Sequence, residues 1–303
     1  MRVASLNVQN LRLREDADGR HFDGARDETA PLSKLSAAER ALDCEDRSLT
    51  AQLIGAADAD ILALQEIFDQ RTLDGFHDAC LAPLGIVYPT RVCLPGNDGR
   101  RQVALMSRRP LQALKSHATL SYAELDLAPP PGQLPSDRIF RRDCLTAWCD
   151  GVWLLGVHFK APTDAATLSV MRAEAMATRI LIERQFADPS TAPWLIVGDV
   201  NVNDVERGDA LDILTDDFAV DLGVSLPAAA RFTYFHARNG SYARPDRMLA
   251  SPALAARCKH FHVRRDGMSL AAVDGDARFH GVGRIRPRAS DHALVVVDLV
   301  AGG

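Results

Sequence analysis

Short apolar runs that stop abruptly at a carboxylate, an amide or an imidazole recur along the whole chain, and this pattern restricts the fold more than any other feature. The runs are Val3–Val8, Ile61–Glu66, Val103–Ser107, Leu145–Trp148, Val152–Phe159, Trp194–Asp199, Arg247–Ala250 and Ala293–Leu299. Apolar runs this short, bounded by polar residues, read as buried strands. Asp150-Gly151, between the fourth and fifth runs, is a two-residue hairpin signal. Two helices are expected as well. Leu42, Leu49, Leu53 and Ala56 share one helical face ahead of the Ile61 run. Between Thr163 and Phe186, Leu168, Met171, Ala175, Ile180 and Ile182 mark another, with Thr163 or Asp164 as its cap.

More strands than helices, with helices between some of them, gives the expected class: α+β, with two packed mixed β-sheets flanked by helices. A chain of 303 residues, 47% of them hydrophobic, can fill such a core. No repeat or clean linker divides it, so one domain spanning 1–303 is expected. Arg14 to Arg40, Ala128 to Asp137 and Asp266 to Ser290 are rich in charge, Gly or Pro and read as surface insertions.

Composition excludes several classes. A 25% charged fraction fits neither disorder nor a fibre. Net charge is −5, which argues against holding nucleic acid by overall basicity but leaves room for a local basic patch. No run of 18 apolar residues exists, so no membrane span is expected. The N-terminus enters a strand pattern without an export signal, and a cytoplasmic location is expected. Six cysteines show no C-x-x-C spacing. Cys144 and Cys149 lie an odd number apart in one strand pattern, which sends their side chains to opposite faces. Free thiols in a reducing compartment are expected.

The chemistry sits at the ends of the runs. Asn7 ends the first, Glu66 the second, His158 nearly the fifth, and Asp199 and Asn201 follow the sixth. Asp246 precedes the seventh, and Ser290-Asp291-His292 precede the last. Singly, each has a plain structural explanation: a turn amide, a surface charge, a core histidine, an Asx turn, a strand start. Jointly, six strand ends carrying hard oxygen donors and two histidines imply one pocket if they meet at one edge. A carboxylate there is costly to desolvate without a cation or hydrogen bonds. An oxygen-rich pocket without thiolates suits Mg²⁺ or Mn²⁺.

The ordered set Asn7, Gln65-Glu66, His158-Phe159-Lys160, Gly198-Asp199-Val200-Asn201, Asp246 and Ser290-Asp291-His292 resembles the endonuclease/exonuclease/phosphatase superfamily, from Val3 to Leu299. That superfamily includes deoxyribonuclease-I-like nucleases, abasic-site endonucleases, inositol polyphosphate 5-phosphatases and neutral sphingomyelinases. The resemblance implies a four-layer α/β sandwich with its site at one end of the two sheets. It implies that Glu66 and Asp291, with Asn7 nearby, hold Mg²⁺ or Mn²⁺. Asp199 would activate water and Asn201 would bond the nucleophile or phosphate. His292, held by Asp246, would stabilise transition-state charge, and His158 would be a second phosphate ligand. Phe140-Arg141-Arg142 resembles a Phe-x-Arg segment of the deoxyribonuclease-like members, implying a phosphate-binding Arg142. There are departures. Gln102 stands where bacterial members often carry an acid, and the Trp-Cys dipeptide of the inositol phosphatases is replaced by Arg244-Pro245.

Three functions follow in order: a metal-dependent nuclease, a phosphatase or lipid-headgroup phosphodiesterase on the same scaffold, and a catalytically silent binding module. Filled catalytic positions weigh against the third. Arg257 to Ser290 holds eight basic residues and three acids (Asp266, Asp274, Asp276) and leads into Asp291, which favours nucleic acid as the substrate. No protein partner is inferable.

Overall fold

The computed structural model describes residues 1–17, 19–27, 30–203, 211–272 and 277–300, and in it the apolar runs pair into two six-stranded mixed sheets. Along the chain the strands are β1 Arg2–Leu11, β2 Leu13–Asp16, β3 Gly19–Phe22, β4 Ile61–Ile67, β5 Thr90–Cys93, β6 Gln102–Ser107, β7 Gln112–Ser116 and β8 Cys144–Cys149. They continue with β9 Val152–His158, β10 Trp194–Asp199, β11 Val220–Asp221, β12 Tyr234–His236, β13 Ser241–Ala243, β14 Asp246–Ala250, β15 Cys258–Arg264 and β16 Leu294–Leu299. The first sheet runs β15-β16-β1-β4-β6-β5 and the second β11-β14-β10-β9-β8-β7. β2–β3 and β12–β13 form separate hairpins.

Side-chain alternation builds the layers. Val3, Ile61, Ala63, Val103, Val295 and Val297 of the first sheet pack against Leu145, Leu154, Leu195, Val197, Met248 and Ala250 of the second. The alternate positions face outward. Leu6, Leu62, Leu64 and Met106 meet Leu49, Leu53 and Ile54 of helix α1 (Ala37–Ala57). On the other side Leu155, Val157 and Ile196 meet Met171, Ala175 and Ile182 of helix α3 (Ala165–Gln185), the long helix after α2 (Gln70–Phe76). The result is the four-layer α+β sandwich expected, α1 on one sheet and α3 on the other. Cys144 joins the outer cluster and Cys149 the inter-sheet one, on opposite faces as their spacing requires. All six cysteines are free.

Helix α1 starts earlier than its apolar spacing shows, because Ser36 and Glu39 form a reciprocal capping box. Asp164 caps α3, accepting from Thr167 N. Asp246 lies inside β14, one residue ahead of the expected start. β5, β7 and β15 were not legible because they are short or exposed edge strands with mixed composition.

Two supposed surface insertions prove to be structural. Residues 14–40 contain most of the β2–β3 hairpin and bury Asp23 and Ala25. In 266–290, Met268, Ala272, Arg288, Ala289 and Ser290 are buried. Arg286 bonds Asp46 Oδ2 through Nε at 2.7 Å and Asp43 Oδ1 through a terminal nitrogen at 2.6 Å, and both carboxylates are fully buried on α1. Removing a buried partner strands its counter-charge. Arg286→Ala should therefore lower unfolding stability by about 3–5 kcal/mol. A urea midpoint equal to that of the wild type would contradict the pairing.

Candidate active site

The alternation that packs the sheets also delivers the polar strand ends. Asn7 continues the inward row Val3, Ser5 of β1, and Gln65 the row Ile61, Ala63 of β4. His158 ends the row Val152, Leu154, Gly156, Asp199 ends Leu195, Val197, and Asp246 begins the row Met248, Ala250. The register aligns them: Asn7 lies opposite Gln65, and Asp199 opposite both His158 and Asp246. These side chains reach one rim because β1 runs parallel to β4 and β9 parallel to β10.

Glu66 has outward parity and needs a different device. Its φ is 66°, in the left-handed region, and both neighbouring ladders shift register between Gln65 and Ile67. A bulge of this kind re-aims one side chain. Glu66 Oε1 accepts from Asn7 Nδ2 at 3.3 Å and Oε2 from Asn10 N at 3.0 Å. Gln9 and Asn10 also have positive φ, on the β1 side of the same shift. Gly198 has positive φ too, 145°, and a Cβ there would overlap the carbonyl of Val157.

The rim encloses a cleft of about 360 Å³ lined by Asn7, Glu66, Arg142, His158, Asp199, Asn201, Asp291 and His292. Of the nine expected site residues, Asp246 alone stands behind it, bonded through Oδ2 to His292 Nδ1 at 2.8 Å. Asn7 Nδ2 donates to Asp199 Oδ2 at 3.0 Å, and His158 Nε2 lies 3.5 Å from the same oxygen. Asp199 Oδ1 accepts from Asn201 N. Phe159 O accepts from both Asn201 Nδ2 and Arg142, each at 2.9 Å. Asp291 Oδ2 accepts from Gln9 Nε2 at 2.9 Å, and Ser290 Oγ donates to Asn7 O at 2.6 Å.

Electrostatics separates the groups. Burial pushes Asp199 up to about 6, opposed mainly by His292. Burial also works against the charge of His292, but Asp246, Asp199 and Asp291 outweigh it and hold it up to about 10. His158 goes the other way, driven well down by burial and by Arg142 and His292. Its Nδ1 is buried without a partner among the described residues. Gln102, at the position where an acid is common, spends its Oε1 on Gly96 N instead.

Asn7 turns its amide nitrogen to Glu66 and Asp199 while its Oδ1 accepts from Gln9 N. Among the described residues, the groups of three His, Cys, Asp or Glu side chains with ligand atoms within 4.8 Å of each other are Asp199–Asp246–His292 and His21–Asp23–Asp43. The second group is already neutralised by Arg14, Arg26 and Arg286. One sequence expectation changes: the basic 257–290 segment does not face a substrate as a whole. Arg286 is consumed by α1, Arg288 bonds Gln9 Oε1, Arg264 pairs Asp266, and Arg265 bonds Phe232 O. Asp274 and Asp276 lie outside the described residues.

Residues that spacing alone did not single out also line the cleft: Gln9, Asp27, Arg101 and Tyr234, whose ring centre is 4.8 Å from that of His292. The amide run Asn7-Val8-Gln9-Asn10 was an available signal. Glu174 was not legible. It lies on α3, buried, and its two oxygens accept from Arg141 N at 2.7 Å and Lys160 N at 2.6 Å. It thereby clamps the segments carrying Arg142 and His158. Burial lifts its pKa to about 7 despite these N–H groups. A folded-state value above the unfolded one means the protonated form is favoured on folding, so this stability is present below about pH 4.5 and lost as pH rises to about 7. Glu174→Gln cannot titrate. Stability of the wild type relative to that variant should fall by about 3 kcal/mol across that window, at roughly 1.4 kcal/mol per unit. Urea unfolding at several pH values reads the difference, and a flat difference would refute the buried titration.

A two-sheet sandwich whose rim gathers carboxylates, amides, an Asp–His pair and arginines in one cleft is the frame of a phosphoester hydrolase. Residues 4–292 match the model of the Endonuclease/Exonuclease/phosphatase family, and the chain belongs to that family. A search of curated proteins finds no match. Among solved structures, an endonuclease/exonuclease/phosphatase from Beutenbergia cavernae is 19% identical with a TM-score of 0.63, covering 100% of this chain and 72% of its own. A Neisseria 3′ phosphatase bound to product DNA hairpin is 19% identical with a TM-score of 0.57, covering 99% of each chain. A Bacteroides thetaiotaomicron mannosyl-6-phosphatase is 17% identical with a TM-score of 0.59, also covering 99% of each. No described helix is long and apolar enough to cross a membrane.

Proposed function

We propose that residues 1–303 form one catalytic domain that hydrolyses phosphodiester bonds, acting as a divalent-metal-dependent nuclease. The observation that carries this reading is the placement of Asp199 between His158 and the Asp246–His292 pair, at the floor of a cleft that also holds Glu66, Asp291 and Arg142. Asp199 has the acceptor oxygens and the raised pKa of a general base for water. Asn201 is fixed beside it, and its Oδ1, without a partner among the described residues, would bond the nucleophile or the ester. His292, oriented through Nδ1 by Asp246, keeps Nε2 to donate to a non-bridging oxygen. His158 and Arg142 would bind the phosphate from the opposite side.

The family generally depends on divalent metals. Glu66 and Asp291 fit such an ion, since both present hard carboxylate oxygens to the cleft and no cysteine lines it. Bound there, Mg²⁺ or Mn²⁺ would supply charge neutralisation at the phosphoryl group and leaving oxygen. Nucleic acid is the proposed substrate, in keeping with the DNA-bound relative. The mannosyl-6-phosphatase relative supports a second reading, a phosphatase or headgroup phosphodiesterase on the same frame. A panel with Mg²⁺ and Mn²⁺ decides between them, offering supercoiled plasmid, single-stranded DNA, RNA, an inositol polyphosphate, mannose 6-phosphate and bis(nitrophenyl) phosphate. Cleavage of polynucleotide above all others is expected. Turnover of monoesters alone would replace the first reading with the second.

A further inference from the structure

A second cleft, of about 550 Å³, adjoins the active site, and Asp27 and Arg101 line both. Its other walls include Arg12, Arg14, Phe68 and Arg100. Charges here are unequally used. Arg14 is paired with Asp23, and Asp27 accepts from the Gln9 amide. Arg12 instead lays its guanidinium 4.1 Å over the ring of Phe68, and Arg100 projects from an exposed turn. Neither makes an ion pair among the described residues. A single exposed arginine is ordinarily a solvated charge. Two that lack an ion pair among the described residues and line one cleft, with Arg101 at the seam to the catalytic cleft, call for an anionic ligand.

The supports are rigid, which suits binding. Asp98 Oδ1 accepts from Arg100 N at 2.9 Å and Arg101 N at 2.7 Å, while Oδ2 accepts from Arg142 Nε at 2.9 Å. The turn that carries Arg100 is thus fastened to an arginine of the active site. A Cβ on Gly96 would overlap the carbonyl of Arg142, so only glycine lets the turn lie this close. On the other wall, Phe68 N donates to Leu11 O at 3.0 Å, fixing Phe68 beside Arg12.

We infer that this cleft is the subsite for phosphates of a single polynucleotide strand beyond the bond that is cut. The inference rests on the phosphodiesterase reading above and narrows it to substrates with more than one phosphate. A sugar monophosphate, having its phosphate in the catalytic cleft, has nothing to place here. A strand carries one phosphate per nucleotide and supplies the next anion along its backbone. The basic 257–290 segment, whose arginines nearest Asp291 are turned inward, is not the grip.

The test is binding of a labelled single-stranded oligodeoxynucleotide in EDTA, followed by fluorescence anisotropy across a salt series, with wild type and Arg12→Ala/Arg100→Ala. Each phosphate contact contributes roughly −0.7 to the log–log salt slope, so the double variant should show a slope shallower by about 1.4. Its affinity at low salt should fall by on the order of tenfold. Should the double variant melt earlier than wild type, Arg100→Ala alone should still shift the slope by about 0.7, since that residue lies in an exposed turn. Unchanged affinity and slope overturn the subsite, as does a wild type that binds no oligonucleotide. Failure of the wild type to hydrolyse plasmid and bis(nitrophenyl) phosphate with Mg²⁺ strikes the functional reading instead, and is scored separately.

Discussion

Turnover of a phosphodiester is expected to fall by on the order of 10²-fold or more in Asp199→Asn, and by a similar factor in His292→Ala. Asp199→Asn keeps the shape and, with its single acceptor oxygen, one of the Asn7 and Asn201 contacts, but removes the proton acceptor. His292→Ala removes the donor that Asp246 holds at 2.8 Å and leaves that carboxylate buried without its partner. In the proposed mechanism the two groups serve one chemical step, so their losses should not multiply. The double variant should be only slightly worse than the poorer single one. Losses that multiply fully in single-turnover kinetics would show that the two act in separate steps. His292→Ala also opens a stability question, because a buried unpaired Asp246 is costly. Measuring the melting temperature of each variant separates lost chemistry from lost fold.

The second large effect concerns the carboxylate re-aimed by the β4 bulge. Glu66→Gln should abolish divalent-ion binding as read by calorimetry, and activity with it, while the protein stays folded. Glutamine retains an acceptor for Asn10 N, so the local backbone keeps its support. What is lost is the charge that a hard cation requires. Excess Mn²⁺ should restore part of the activity, since Asp291 still faces the same cleft. Calorimetry that finds no divalent-ion binding in the wild type would remove the metal from the mechanism.

The frame and the gathering of the polar strand ends in one cleft were legible because one rule, alternation along a strand, governs both. Val3, Ser5 and Asn7, or Leu195, Val197 and Asp199, show an inward row turning polar at its end, and the sheets then bring those ends together. Glu66 was legible only through its place in an ordered motif, since parity sends it outward and the bulge that returns it has no composition signal. Charge runs misled for a related reason. Arg284, Arg286 and Arg288 read alike in sequence, but two of them face inward because α1 offers Asp43 and Asp46 and β1 offers Gln9. Glu174 was hidden as one more polar position on an amphipathic helix. Its purpose depends on two backbone N–H groups distant in sequence.

Arg47 has a wider consequence. Buried on α1, it donates to the carbonyls of Val8, Gln9, Asp23 and Gly24, at distances of 2.6 to 2.9 Å. It thereby moors the bulged end of β1, with the Asn7 and Gln9 side of the cleft, to the outer helix of its own sheet. Glu174 does the same for the Arg142 and His158 side from α3. Each bank of the cleft is thus tied back to a different shore, and no strand crosses between them. The apolar seam between the sheets, which runs straight into the rim, and the Asn7–Asp199 bond across it space the two banks. A family built this way can change what fits by altering the bulk of that seam or the loops above it, while both sets of moorings stay as they are.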